Sequence, residues 1–263
     1  RRMVEKEKEK RGGSLPEDDD ENQELLVRIV TKNIFGIDKD ISALNIAVFS
    51  LYVAILDYKD PKTLVNFTLP YLINYPSKPV KSGVNFFEAD FFDLKANFNT
   101  QEVFKKQQFD FIIGNPPWGS KSKKDSDAHH IKYIKDNEYP IGNFEISQTF
   151  LLRVLNFAGG STICSLITSS KAFHNGLSDN FKRKFFSEVQ VNSIIDLSPV
   201  RRMVFEGAIF PAAIVTYKKG NDAPSVLKNQ VEYIGVKASI FLRYFKTLVI
   251  ESDNIKQTKQ GNF

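Results

Sequence analysis

Cysteine is nearly absent: the 263 residues contain one, Cys164. A single thiol closes no intrachain disulfide, so the chain is not a disulfide-stapled scaffold. Its place in an apolar, strand-like run reads as a core residue in a reducing compartment, which makes the cytoplasm the expected location. Histidine is almost as scarce, with three residues, and no Cys or His cluster has metal-ligand spacing. The adjacent pair His129-His130 lies in a polar segment and is expected to be solvated rather than metal-bound. No apolar run approaches the ~20 residues that span a bilayer, and no secretory signal pattern opens the sequence. Neither sign of charge dominates: 36 Lys and Arg against 31 Asp and Glu leave +5, a modest excess that suits a polyanionic partner. There is no internal repeat.

What is present is a patterned middle between two atypical ends. Residues 1–22 are charged and poor in apolar side chains, and are expected to be disordered or adventitiously packed. Residues 59–83 contain Pro61, Pro70, Pro76 and Pro79 and read as an irregular insertion. Between and beyond them, short apolar runs alternate with helical periodicity. Ile34–Asp38 is a strand ending in an acid, followed by a helix from Ile41 through Ala54 with Leu44, Ala47, Val48 and Leu51 at helical spacing. Val84–Phe92 is the next strand-like segment, and Phe109–Gly114 reads as a buried strand. A helix from Glu145 to Ala158 ends at Gly159-Gly160. Then follow a strand at Ser161–Thr168, a basic helix at Asp179–Val189, a strand at Val191–Leu197 and a last strand region of Val204-Phe205 and then Ile209–Tyr217. Strands alternating with helices predict an α/β fold with a doubly wound, mostly parallel sheet.

The most informative stretch is Asn115-Pro116-Pro117-Trp118, directly after the Phe109–Gly114 strand. Two prolines fix φ and remove two backbone donors, so the loop is stiff and its carbonyls stay free as acceptors. The Asn side chain adds an acceptor and Trp a flat apolar face. Fixed acceptors beside a stacking platform suit a planar substrate bearing an NH2 group, such as an adenine swung out of its duplex. A plain Pro-rich turn beside a core Trp is the bland alternative.

Asn-Pro-Pro-aromatic after a hydrophobic strand resembles motif IV of the S-adenosylmethionine-dependent amino-group methyltransferases, which include the DNA adenine-N6 methyltransferases of restriction-modification systems. The resemblance implies a Rossmann-like class I methyltransferase sheet with an antiparallel last strand. It gives Asn115, Pro116, Pro117 and Trp118 the catalytic loop. Asp38 resembles the motif II acid that accepts both ribose hydroxyls of the cofactor, although Asp38, Asp40 and Ser42 also suit a helix N-cap. Asp90 resembles the motif III carboxylate that takes the cofactor's adenine amine, with Phe91 or Phe92 over the adenine face. Phe205 matches the aromatic that, with Trp118, packs the flipped base; Phe210 competes for that role, and either can be plain core. The resemblance implies the Asp38, Asp90 and Asn115 loops together at the carboxyl ends of parallel strands.

One family feature is missing. No Gly-rich turn after a hydrophobic strand precedes Asp38; Gly12-Gly13 follows a charged run. The chain, which starts with Arg, is therefore expected to be a fragment lacking motif I and its strand. The expected division is a charged start over 1–22, a partial catalytic core over 23–220, and a linker over 221–263 toward an absent target-recognition domain. S-adenosylmethionine is the implied cofactor, bound weakly or not at all by this fragment, and double-stranded DNA is the implied partner. Lys121, Lys123 and Lys124, in a polar segment from Gly119 to Tyr139 that reads as a mobile loop, suit DNA phosphates. No metal is implied. Cytosine ring-carbon methylation requires a catalytic cysteine, and Cys164 has no Pro-Cys context, so that class is excluded. Two rivals remain: a protein glutamine methyltransferase, whose Asn-Pro-Pro-Tyr loop differs by Trp118, and a non-catalytic nucleic-acid-binding or assembly subunit on a methyltransferase scaffold.

Overall fold

The computed structural model describes every residue except 18, 63, 65, 66, 77, 79, 80, 82, 120–127, 206, 208 and 209. Lys121, Lys123 and Lys124 therefore lie outside the described residues, as do Pro79 and Ile209. The chain divides into two compact units, Arg1–Gln101 and Glu102–Phe263.

The first unit holds three strands, β1 (Gly36–Asp38), β2 (Ile73–Asn74) and β3 (Phe86–Glu88), all parallel in the order β1-β3-β2. Gly36 faces Phe86 in register, and a Cβ there would lie 2.6 Å from the Phe86 ring, so only glycine lets the two strands close with that ring in place. The helix Ile41–Leu56 starts where Asp40 accepts a hydrogen bond from the Ser42 N–H, a standard N-cap. It buries Leu44 and Val48 against Leu72, Ile73 and Phe86. A second cluster, Leu25, Leu26, Ile29, Val30 and Ile55, lies along the helix Asp19–Asn33. The buried Asn85 side-chain amide donates to the carbonyls of Val30 and Ile34, tying that helix to the start of β3.

Two expectations for this unit change. The charged start is not disordered: Arg2–Lys10 is helical, because Val4 buries itself in the second cluster and Lys8 and Lys10 pair with Glu5 and Glu7 one turn away. The proline-containing insertion also carries β2.

The second unit is built on a six-stranded sheet of order β4-β5-β7-β6-β8-β9. The strands are β4 (Phe111–Gly114), β5 (Ile163–Ser169), β6 (Val189–Asp196), β7 (Ala212–Lys219), β8 (Gln230–Gly235) and β9 (Ile255–Lys259). β4 pairs with β5 and β6 with β8 in parallel, while β7 runs antiparallel between β5 and β6. With the first unit's two pairings, four of the seven strand pairings among the described residues are parallel; β7 is antiparallel to both of its neighbours as expected, although β8 and β9 follow it, so it is not the last strand. The alternating burial of β5 and β7 places Cys164, Leu166, Ala213, Val215 and Tyr217 in the core.

Here two expectations fail. β4 does not read as buried: it is an edge strand paired only with β5 among the described strands, and Phe111 and Ile113 are 70% and 79% exposed. An apolar run specifies a strand that suits burial on both faces; it does not supply the neighbour that buries it. The Gly119–Tyr139 segment contains a helix, His129–Asp136, whose inward face is His130, Ile131, Tyr133 and Ile134, so His130 is buried rather than solvated. Beyond Gly220 the chain extends the sheet, since β8 joins β6 and β9 joins β8.

Candidate active site

In the first unit, parallel pairing brings the carboxyl ends of β1 and β3 side by side. Asp38 is opposite Glu88, and the Ala89 N–H donates to the Asp38 carbonyl at 2.9 Å. Asp38 and Asp90 thereby share one end of one sheet, as a ligand site in an open parallel sheet requires. The exposed Asp38 side chain spends Oδ1 on the Asp40 N–H at 2.9 Å, which fixes its rotamer. Asp90 Oδ1 accepts from the Phe92 N–H, and Oδ2 pairs with Lys39 Nζ, each at 2.9 Å. Lys39, next in sequence to Asp38, thus connects the two strand ends. Phe91 stacks on Phe98 with ring centroids 6.2 Å apart and meets Phe92 edge-on at 5.7 Å, while Phe92 is buried.

This donor set fits the nucleoside part of S-adenosylmethionine: carboxylate acceptors for ribose hydroxyls and an amine, beside an aromatic ring.

In the second unit, Asn115 follows the last residue of β4. It is exposed, and its side chain makes no hydrogen bond among the described residues, so Oδ1 is available to a substrate. Pro116 is buried and Pro117 exposed, so the pair anchors the loop on one side only. Trp118 is half-buried. Its indole N–H donates to the Ile167 carbonyl at 3.4 Å, and its ring meets Phe205 edge-to-face, 6.0 Å between centroids at 81°. Both rings pack on a cluster of Leu197, Val200, Ala212 and Ile234 at one end of the sheet. Phe210 is instead exposed beneath the Lys171 ammonium, 4.5 Å from its ring centroid, so of the two phenylalanines Phe205 is the one that joins Trp118.

The Cys164 thiol is fully buried in β5, and desolvation pushes its pKa up to about 12, with Lys219 opposing weakly. A thiol held protonated in the core is no nucleophile. Among the described residues no cluster of three or more His, Cys, Asp or Glu is placed to hold a metal ion, and no helix is long and apolar enough to cross a membrane. Two further groups of basic residues are engaged within the chain: Lys182 and Lys184 pair with Asp179 and Glu188 on their own helix, and Arg201 donates to the Ser198 carbonyl.

The family model described as Eco57I restriction-modification methylase matches residues 32–205, from just before β1 to Phe205. The chain belongs to the Eco57I restriction-modification methylase family. That stretch contains Asp38, Asp90, Phe91, Asn115–Trp118 and Phe205, and places the chain among methylases of restriction-modification systems. Comparison with curated proteins finds no match. Among solved structures, the chain resembles the ATP-dependent type ISP restriction-modification enzyme LlaBIII bound to DNA, with a TM-score of 0.54 and 12% identity over 79% of this chain and 15% of that one. It also resembles a nuclease-deletion mutant of the type ISP enzyme LlaGI in complex with a DNA substrate mimic, with a TM-score of 0.52 and 14% identity over 89% of this chain and 23% of that one. At these identities the likeness is one of fold, and it supports the mixed α/β methyltransferase architecture. The chain spans less than a quarter of either of those proteins, and 44% of one chain of a type I restriction-modification system that it also matches.

Sequence reasoning missed one residue of this loop's surroundings. Glu145 accepts a hydrogen bond from the Gly119 N–H, the residue after Trp118, at 3.1 Å. The signal was an N-cap filled by Glu rather than by the shorter side chains that usually cap helices.

Proposed function

We propose that the protein transfers a methyl group from S-adenosylmethionine to the exocyclic N6 amine of adenine in DNA. The observation that carries this reading is the Asn115–Trp118 loop: an unengaged carboxamide oxygen at a strand's carboxyl end, a proline-stiffened backbone, and an edge-to-face aromatic pair beside it. An adenine amine is a poor nucleophile because its lone pair is delocalised into the ring. Asn115 Oδ1 and the Pro116 carbonyl accept its two hydrogens and draw the nitrogen toward tetrahedral geometry, freeing the lone pair. Pro117 holds those acceptors still, so no reorganisation is needed during reaction. Trp118 and Phe205 supply the apolar faces for an extruded base. Asp38 and Asp90 hold the cofactor's ribose and adenine, and Phe91 covers the adenine. Bound there, the cofactor supplies an electrophilic methyl group. After transfer the nitrogen loses one of its two hydrogens as a proton. DNA sequence is read by a target-recognition domain or specificity subunit, and the cytoplasm is the setting of such a system.

The test uses the active enzyme, unmethylated DNA and methyl-labelled cofactor, followed by digestion to nucleosides. Label in N6-methyladenine is the expected result. Label in a protein glutamine instead, or in another base, overturns the assignment.

A further inference from the structure

The proposed acceptor loop is stiff on one side and loose on the other. Pro116 and Pro117 fix the backbone before Trp118, but Gly119 follows it with φ +122°, a conformation that L side chains rarely adopt. A rigid loop whose next residue is a free joint positions nothing unless something immobilises the joint. Glu145 does so. One carboxylate oxygen accepts the Gly119 N–H at 3.1 Å. The other accepts the Ser147 hydroxyl at 2.7 Å and the Gln148 N–H at 2.8 Å. The backbone doubles the connection, since the Ile146 N–H donates to the Gly119 carbonyl at 3.0 Å. The network continues into the sheet, where the buried Thr168 hydroxyl on β5 donates to Ser147 Oγ at 3.0 Å. Trp118 reaches the adjoining residue of the same strand through the Ile167 carbonyl.

Capping the helix Ile146–Arg153 does not by itself require glutamate. Asp, Asn or Ser makes the bond to the N3 amide with a shorter side chain and is preferred there. The extra methylene is what lets one carboxylate cap the helix with one oxygen and hold the loop with the other. Hydrogen bonds to an ionised carboxylate are also about twice as strong as neutral ones. We infer that Glu145 is the positioning residue of the acceptor loop: its carboxylate locks Gly119 to β5 and so holds Asn115 Oδ1 and the Pro116 carbonyl where they meet the amine. This rests on the reading of the Asn115–Trp118 loop as the methyl-acceptor site.

The decisive variant is Glu145→Asp, which keeps the cap but is too short to reach Gly119, compared with Glu145→Ala, which loses both. Trp118 is the sole tryptophan in the 263 residues, so its emission reports the loop directly. With Glu145→Asp the thermal midpoint should stay near wild type while Trp118 emission shifts to the red and acrylamide quenching rises. In the active enzyme, kcat for methyl transfer should fall on the order of ten- to a hundredfold, the loss that follows an ångström-scale misplacement, with the KM for DNA and the cofactor Kd within about twofold of wild type. Glu145→Ala should show the same loop changes together with a lower thermal midpoint. Wild-type emission and quenching in Glu145→Asp would overturn the inference, as would equal destabilisation by Asp and Ala, which makes Glu145 a residue of the fold alone. If the emission responds as expected but the wild type methylates no adenine, the clamp stands and the functional reading falls.

Discussion

If Trp118 and Phe205 pack a flipped base as proposed, their contact ties the stability of the second unit to base capture, and both can be measured. The rings meet edge-to-face at 6.0 Å and 81°, a favourable aromatic geometry. Such a pair contributes about 0.5–1.5 kcal/mol beyond the apolar area it buries. A double-mutant cycle of Trp118→Ala, Phe205→Ala and the double variant should therefore give a coupling energy of roughly 0.5–1.5 kcal/mol. Urea unfolding followed by far-ultraviolet circular dichroism is the assay, since the first substitution removes the only tryptophan. Each single variant should cost more than the coupling, because Trp118 also loses its bond to the Ile167 carbonyl and both rings leave the Leu197–Val200 cluster. In the active enzyme, loss of either ring should weaken binding to DNA carrying the target adenine by about 1–3 kcal/mol, the usual cost of losing a base-stacking aromatic. That is on the order of five- to a hundredfold in Kd. Binding to DNA without the target should change little. A coupling within about 0.3 kcal/mol of zero, the limit of simple additivity, would refute the contact. Equal losses on both DNAs would refute the base-capture role.

Asp38→Ala should weaken S-adenosylmethionine binding on the order of ten- to a hundredfold in the active enzyme, since hydrogen bonds to a charged group are each worth about 1.5–3 kcal/mol. Calorimetry that finds an unchanged Kd would remove Asp38 from the cofactor site. Cys164 should resist thiol reagents in the folded chain even at pH 9, because burial raises its pKa to about 12; it should react fully in urea, and rapid native labelling would mean the β5 core is open.

Local chemistry made much of this structure legible in the sequence. Asp38 and the cap at Asp40 are encoded within a few residues of each other, and β1 and the helix Ile41–Leu56 fall where the pattern puts them. The strand–loop unit of β4 and Asn115–Trp118 is equally local, and the apolar run before Lys218-Lys219 gives β7 as a strand, while its reversed direction was implied only by the family resemblance. What local pattern does not carry is pairing. The exposure of Phe111 and Ile113 depends on which strand stands beside β4, and that information is not in residues 109–114. β9, with Lys256, Gln257, Thr258 and Lys259, has no apolar alternation; it forms because β8 offers it an antiparallel edge. The helix Arg2–Lys10 depends on a single apolar contact, through Val4, that composition hides under its charges.

The candidate site divides in the same way. Asn115, Pro116, Pro117 and Trp118 are contiguous, so their joint chemistry can be read directly. Phe205 was one of two candidates 87 or more residues from Trp118, and only the packing of Leu197, Val200 and Ala212 selects it over Phe210. Glu145 was visible only as a helix start, because its second hydrogen bond crosses 26 residues to Gly119.

The central claim is that Asn115 Oδ1 accepts a hydrogen from the target amine during methyl transfer. Single-turnover methylation of an adenine-containing duplex by wild type and Asn115→Ala tests it most directly. The account predicts a rate lower by roughly a hundredfold or more, the cost of removing one preorganised polar partner, with cofactor affinity little changed because Asn115 faces the amine. An Asn115→Ala enzyme that methylates adenine at the wild-type rate would contradict it.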